Sequence, residues 1–222
     1  MSIAERLNEL RNELPEGVRL VAVSKLHNAS AIREAYDAGQ RLFGENRVQE
    51  LLLKYESLPK DIEWHFIGHL QTNKVKQMAP FIAMVQSADS LRLLEELNRQ
   101  AAENNRRIPV LLQIHIAQEE HKFGFSFDEL EELLNDGLQE RLPHLHLCGL
   151  MGMATFTDNS EEIRREFASL SAFFIKLKTH YFAADPDFKE LSMGMSDDYP
   201  LAIEEGSTLI RVGSKLFGFS FG

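Results

Sequence analysis

A lone lysine closes the short apolar run Leu20-Val21-Ala22-Val23-Ser24-Lys25, and the helix-like segment Ser30 to Gly39 follows it. The run is too brief for a helix, so the pattern predicts a strand, then the lysine, then a helix. Side chains alternate along a strand, which puts Val21, Val23 and Lys25 on one face with the ammonium where that apolar face ends. A poorly solvated lysine keeps some neutral amine near neutral pH and can attack a carbonyl carbon to form an imine. The plain alternative is that Lys25 ends the strand and reaches into water, as most lysines do.

Polar and glycine-rich stretches recur after later apolar runs: Phe43-Gly44-Glu45-Asn46, Trp64 to Lys74, Gly149 to Met153, Leu191 to Asp198 and Ile210 to Ser214. Glycines and small hydroxyl residues in the last two suit a phosphate, with the backbone amides of Gly213 and Ser214 opening the short segment Ser214 to Phe217. Ser196, followed by Asp197 and Asp198, is expected to cap a helix, and Ser192 at the preceding strand end is the better phosphate contact. Arg211 shares a strand face with Leu209 and Gly213, so it points inward as Lys25 does. An imine-forming lysine, a phosphate cradle and an inward arginine together suit pyridoxal 5'-phosphate, whose ring nitrogen takes an acid or an arginine as its protein partner. An arginine there only donates, so the ring would be a weaker electron sink. The competing expectation for Arg211 is an ion pair with Glu204 or Glu205.

Eight histidines raise the question of a metal. His65 and His69 have a helical spacing, but Gly68 and a strand-to-loop context remove the geometry that spacing needs. His144 and His146 alternate on a strand with no acid beside them in the sequence, so no metal site is expected.

These residues need elements to hold them. Strands are expected at Val18–Ser24, Arg41–Phe43, Glu63–Ile67, Phe81–Gln86, Pro109–Ile116, His144–Leu150, Phe188–Ser192 and Thr208–Val212. Helical spacing fills the intervals at Arg47–Leu58, Asn73–Met78, Leu91–Asn104, Phe127–Leu138, Ser160–Thr179 and Asp197–Glu205, and a charged helix precedes them at Met1–Leu14. Eight strands alternating with helices predict a single α/β domain over residues 1–222, a closed (β/α)8 TIM barrel with an extra N-terminal helix. An open doubly wound sheet is the runner-up, although no Gly-x-Gly-x-x-Gly follows the first strand.

Composition narrows the function classes. With 222 residues, 44% of them apolar, the chain can bury a sizeable core within the length of one such barrel. The formal charge of -10 argues against nucleic acid or an anionic membrane as partner, so an anionic ligand needs a local site. The single cysteine, Cys148, leaves no disulfide framework and points to a reducing compartment. No signal-like segment and no run of about 18 apolar residues occurs, which predicts a soluble cytoplasmic protein.

Val23-Ser24-Lys25, Phe43-Gly44-Glu45-Asn46, Trp64 to Gly68 with Leu70 to Lys74, Gly149-Leu150-Met151, Leu191 to Asp198 and Ile210 to Gly213 resemble the pyridoxal phosphate homeostasis proteins. The match runs from about Leu20 to Gly218. It implies a barrel of the alanine racemase N-terminal type, with the cofactor on Lys25, Arg211 at the ring nitrogen, and Ser192, Gly213 and Ser214 at the phosphate. Asn46, His65 and Met193 would line the pocket. The sequence departs from the family pattern at Leu26-His27-Asn28, where a threonine-lysine-proline type of continuation is usual, and at His69, where many members have proline. The resemblance further implies a monomeric carrier that holds pyridoxal phosphate, keeps its pool in balance, and meets apo-enzymes only transiently. A racemase-like enzyme is the alternative and would need a second acid or base, from His65, Tyr36 or Tyr199. A class I aldolase would share the lysine and the phosphate site but has no use for the arginine.

Overall fold

Leu20 to Val23 lie buried on both faces, which suits a continuous apolar run in a parallel strand, and they form β1 (Arg19–Val23). The same composition recurs in β2 (Leu42–Glu45), β3 (Glu63–Phe66), β4 (Met84–Ala88), β5 (Ile108–Ile114), β6 (Leu145–Gly152), β7 (Glu190–Ser192) and β8 (Leu209–Val212). The computed structural model describes residues 1–118 and 123–218, and in it these strands close into a parallel barrel in sequence order. Closure is made by β1 on β8, with Arg19 beside Leu209 and Ala22 beside Val212. The last four residues of the domain expected over 1–222 lie outside the described residues.

The helices are α1 (Ile3–Glu13), α2 (Ala29–Asp37), α3 (Val48–Ser57), α4 (Val75–Met78), α5 (Leu91–Glu103), α6 (Phe127–Asn135), α7 (Leu138–Arg141), α8 (Ser160–His180), α9 (Tyr199–Glu204) and α10 (Ser214–Phe217). Several start where a side chain satisfies free amides: Ser2 and Ser126 each build a capping box with Glu5 and Glu129, and Asn28 caps α2. One helix expected over Phe127–Leu138 is divided into α6 and α7, because Gly137 takes a left-handed conformation. The second strand runs on to Glu45 and the fourth begins only at Met84, both shifted from the expected bounds. The added helix α1 packs on α2 and α10, and its Glu13 accepts a hydrogen bond from the Tyr199 hydroxyl at 2.6 Å.

Two cores result. Phe43, Trp64, Phe66, Leu97, Phe167 and Leu170 fill the space between strands and helices, and each such side chain contributes about 1.5–3 kcal/mol on burial. Val21, Leu42, Met84, Leu111, Cys148, Met151 and Leu209 plug the barrel interior. Gly149 is required where β6 meets β7: its φ is +148°, and a Cβ there would lie 1.8 Å from the Glu190 carbonyl oxygen. No helix among the described residues is long and apolar enough to cross a membrane.

Candidate functional site

The apolar plug ends below the carboxyl ends of the strands, and above it a cavity of about 490 Å³ opens. Lys25 follows β1, Asn46 follows β2, Ile67 to His69 follow β3, Met195 to Asp197 follow β7, and Gly213 and Ser214 follow β8; all of them line this cavity, as do Arg211 and Gln113. Barrel geometry thus brings together five of the eight residues singled out in the sequence, namely Lys25, Asn46, Arg211, Gly213 and Ser214.

Lys25 is exposed, contrary to the expectation of a poorly solvated amine. The strand stops at Val23, and the chain turns at once, with the His27 amide bonded to the Ser24 carbonyl at 3.1 Å. Leu26 sits at φ +66°, a strained conformation for a branched side chain, and its amide is held by the Glu50 carboxylate at 3.1 Å. Behind the turn, the Lys54 ammonium donates to the Ser24 carbonyl at 2.8 Å and to Glu45 at 2.7 Å, while the Ser24 hydroxyl donates to the same carboxylate at 2.5 Å. Burial raises the Glu45 pKa in spite of Lys54 and Ser24, which favour its charged form.

Arg211 is buried at the cavity floor. One terminal nitrogen donates to the Ser192 hydroxyl at 2.6 Å and the other to the Gly152 carbonyl at 3.0 Å. Burial lowers its pKa to about 10, partly offset by Asp198, so it stays a cation at neutral pH. It does not pair with Glu204 or Glu205, which are bonded to Arg164. The Ser192 hydroxyl in turn donates to Gln86 Oε1 at 2.6 Å, and Gln86 Nε2 meets His65 Nδ1 at 2.8 Å. That contact makes Nδ1 the acceptor, and burial depresses the His65 pKa to about 3, so the ring is neutral.

Three residues expected at the pocket, Ser192, His65 and Met193, are not among those lining this cavity. Ser192 faces the barrel interior below the rim, where its hydroxyl is committed to Arg211 and Gln86 and is not a wall of the cavity. His65 lies one hydrogen bond deeper, under Gln86. Met193, on the opposite strand face from Ser192, is fully buried in the layer against the helices, and Met195 takes the place at the cavity wall. Ser196 is not a helix cap, because α9 begins only at Tyr199 with Asp198 before it. Its hydroxyl instead accepts from the Gly213 amide at 3.3 Å and faces the cavity beside Ser214. Sequence reasoning took Ser196 for a helix cap and did not single out Gln86 or Gln113; a polar residue within a strand otherwise apolar was the available signal for the two glutamines.

The donor set fits a phosphorylated aldehyde with a ring nitrogen. A primary amine, a buried guanidinium and the Gly213, Ser214 and Ser196 groups line one space. Asn46 Oδ1 is buried with no hydrogen-bond partner, an acceptor without a donor. Gly213 lets the backbone approach closely, since a Cβ there would come within 3.1 Å of the Val23 carbonyl oxygen. At the other end of the barrel, the His146 ring lies 3.7 Å from Asp187 and 4.0 Å from Asp185, acids that the linear sequence does not place beside it.

A barrel with a lysine and an arginine at one mouth and a glycine-serine rim defines a class of cofactor-binding proteins, and the comparisons agree with it. The family model described as alanine racemase, N-terminal domain, matches residues 1–220. The pyridoxal phosphate homeostasis protein of Aquifex aeolicus is 41% identical, covering 90% of this chain and 86% of its own, and that of Escherichia coli K12 is 40% identical, covering 97% and 96%. The structure of PipY of Synechococcus elongatus with PLP bound has a TM-score of 0.88 and 42% identity, over 98% of this chain and 100% of that one. Alanine racemase from Streptomyces coelicolor shares the fold alone, at 19% identity and TM-score 0.75, and this chain spans 58% of it. The chain belongs to the pyridoxal phosphate homeostasis proteins, within the family of alanine racemase N-terminal barrels.

Proposed function

We propose that this chain binds pyridoxal 5'-phosphate covalently through Lys25, holds it for delivery, and thereby maintains the cellular pool of the cofactor without turning over a substrate of its own. The reading is carried by one observation: Lys25, Arg211, Gly213 and Ser214 line a single cavity in a chain 42% identical to PipY, whose structure is described with PLP bound. Lys25 provides the attachment point, Arg211 faces the ring nitrogen, Gly213, Ser214 and Ser196 hold the phosphate, and Asn46 supplies an acceptor. Ser192, Gln86 and His65 stand beneath Arg211 and orient it. The cofactor, when bound, supplies an aldehyde carbon and an electron-accepting ring. Arg211 only donates, so it leaves that ring nitrogen unprotonated and proton loss from a bound amino acid slow.

The same reading takes residues 1–222 as one cofactor-binding domain, monomeric and cytoplasmic, with transient contacts to apo-enzymes. Of the three acid or base candidates for the racemase alternative, His65 is neutral and buried, Tyr36 is bonded to Asp61 and Tyr199 is bonded to Glu13, and none of these three lines the cavity. Borohydride reduction of the cofactor-loaded protein should fix the label on Lys25 and on no other lysine, and Lys25→Ala should abolish it. Label on Lys74 or Lys215 refutes the assignment. Deuterium exchange at the α-carbon of L-alanine in heavy water tests the silence; wild-type exchange at about 1 per second or faster makes the chain an enzyme.

A further inference from the structure

His69 leaves the carboxyl end of β3 just after Gly68, and the fold gives it a specific setting. Its Nδ1 lies 2.8 Å from Asp89 Oδ2, and the Asp89 side chain is only 5% exposed. The Ser90 hydroxyl donates to the other Asp89 oxygen at 3.2 Å. The imidazole stacks on the Phe123 ring, with centroids 3.7 Å apart and planes at 14°. The backbone beneath it is pinned, because the Ser87 hydroxyl donates to the Gly68 carbonyl at 2.5 Å, and a Cβ on Gly68 would lie 2.6 Å from the Asn46 carbonyl oxygen. His69 is therefore oriented by a carboxylate, a ring and a fixed loop, and it lines the same cavity as Lys25.

We infer that His69, oriented by Asp89, is the proton carrier for covalent capture and release of the cofactor at Lys25. This rests on the proposed binding of pyridoxal phosphate. Forming the bond joins the Lys25 nitrogen to the aldehyde carbon and expels the carbonyl oxygen as water. The ammonium first gives one proton to the imidazole. After the nitrogen has bonded to the aldehyde carbon, a second nitrogen proton passes to the former carbonyl oxygen and makes it a hydroxyl. The imidazolium returns its proton to that hydroxyl as it leaves as water, so the imidazole ends as it began. Release by water runs the same steps backwards. Asp89 accepts the Nδ1 proton, which leaves the Nε2 lone pair as the base. Among the described residues, the ionisable groups lining the cavity are Lys25, His69, Asp197 and Arg211. Lys25 is the nucleophile and Arg211 does not deprotonate. Asp197 is exposed and no described side chain orients it, which leaves His69.

The full-length protein, stripped of cofactor and mixed with pyridoxal 5'-phosphate in a stopped-flow spectrometer, gives the rate of capture. Pyridoxine 5'-phosphate, an alcohol that cannot bond to the lysine, gives the non-covalent affinity. His69→Ala should slow capture about 100-fold, the lower end of what a positioned acid-base group contributes, and leave pyridoxine phosphate affinity within twofold. Added imidazole should restore part of the rate, and Asp89→Asn should slow capture in the same sense. Capture by His69→Ala at the wild-type rate overturns the inference while leaving the carrier reading intact. So does an equal loss of affinity for both compounds without imidazole rescue, which makes His69 a wall only. A wild-type protein that never captures the aldehyde removes both.

Discussion

The Arg211 guanidinium and the Ser192 hydroxyl are 2.6 Å apart in the barrel interior, and that contact ties the cavity floor to strand β4 through Gln86. A buried cation is costly unless it is hydrogen-bonded, and the column of contacts from Arg211 through Ser192 and Gln86 to His65 holds one terminal nitrogen of that guanidinium.

Ser192→Ala should break it. The change leaves an Arg211 N–H and Gln86 Oε1 without a partner, at about 1–3 kcal/mol of stability in urea unfolding. Cofactor affinity should fall several-fold in a spectral titration, although Ser192 does not touch the cavity. Unchanged affinity would show that Arg211 keeps its position without the column.

The rim prediction concerns charge. Ser214→Asp places a carboxylate where the phosphate is proposed to sit, and like charges repel strongly in a partly enclosed site, whereas Ser214→Ala removes one hydroxyl. The aspartate variant should bind the cofactor far more weakly than the alanine variant. Equal affinities for the two would move the phosphate elsewhere.

His65 gives the protein an acid sensitivity of known sign. Burial holds its folded pKa near 3, against 6.5 when unfolded. The unfolded chain therefore binds an extra proton between those values, so stability rises with pH through that window and is flat above it. His65→Gln should remove up to about 1.4 kcal/mol per pH unit of that slope. Urea unfolding of both proteins from pH 4.5 to 7 checks this, and parallel curves would refute it.

Lys54→Met tests the pair behind Lys25. It strands the Glu45 carboxylate in the interior and should cost about 3–5 kcal/mol. Adding Glu45→Gln should recover most of the loss, a coupling that a double-mutant cycle measures directly. Additive losses would mean the two side chains do not support each other.

The barrel itself was legible in the chain. Eight apolar runs, each bounded by a helical period, leave few architectures, because parallel strands must be joined by crossovers and a strand buried on both faces has no polar alternation. Lys25, Arg211, Gly213 and Ser214 were legible too, since strand alternation and the carboxyl-end rule assign them to one mouth.

What the sequence could not decide was depth. Alternation assigns a face, not a layer, so Ser192 and His65 were expected at the cavity and lie under it, while Met193 was expected at the cavity and faces the helices. The length of β7, only Glu190–Ser192, sets where the chain leaves the barrel and hence that Ser196 meets the Gly213 amide. His69 and Asp89 are far apart in the chain and share no local pattern. They meet only because β3 and β4 are neighbours whose loops leave the same end, and a contact between two loops is fixed by closure of the barrel, not by the residues beside either partner.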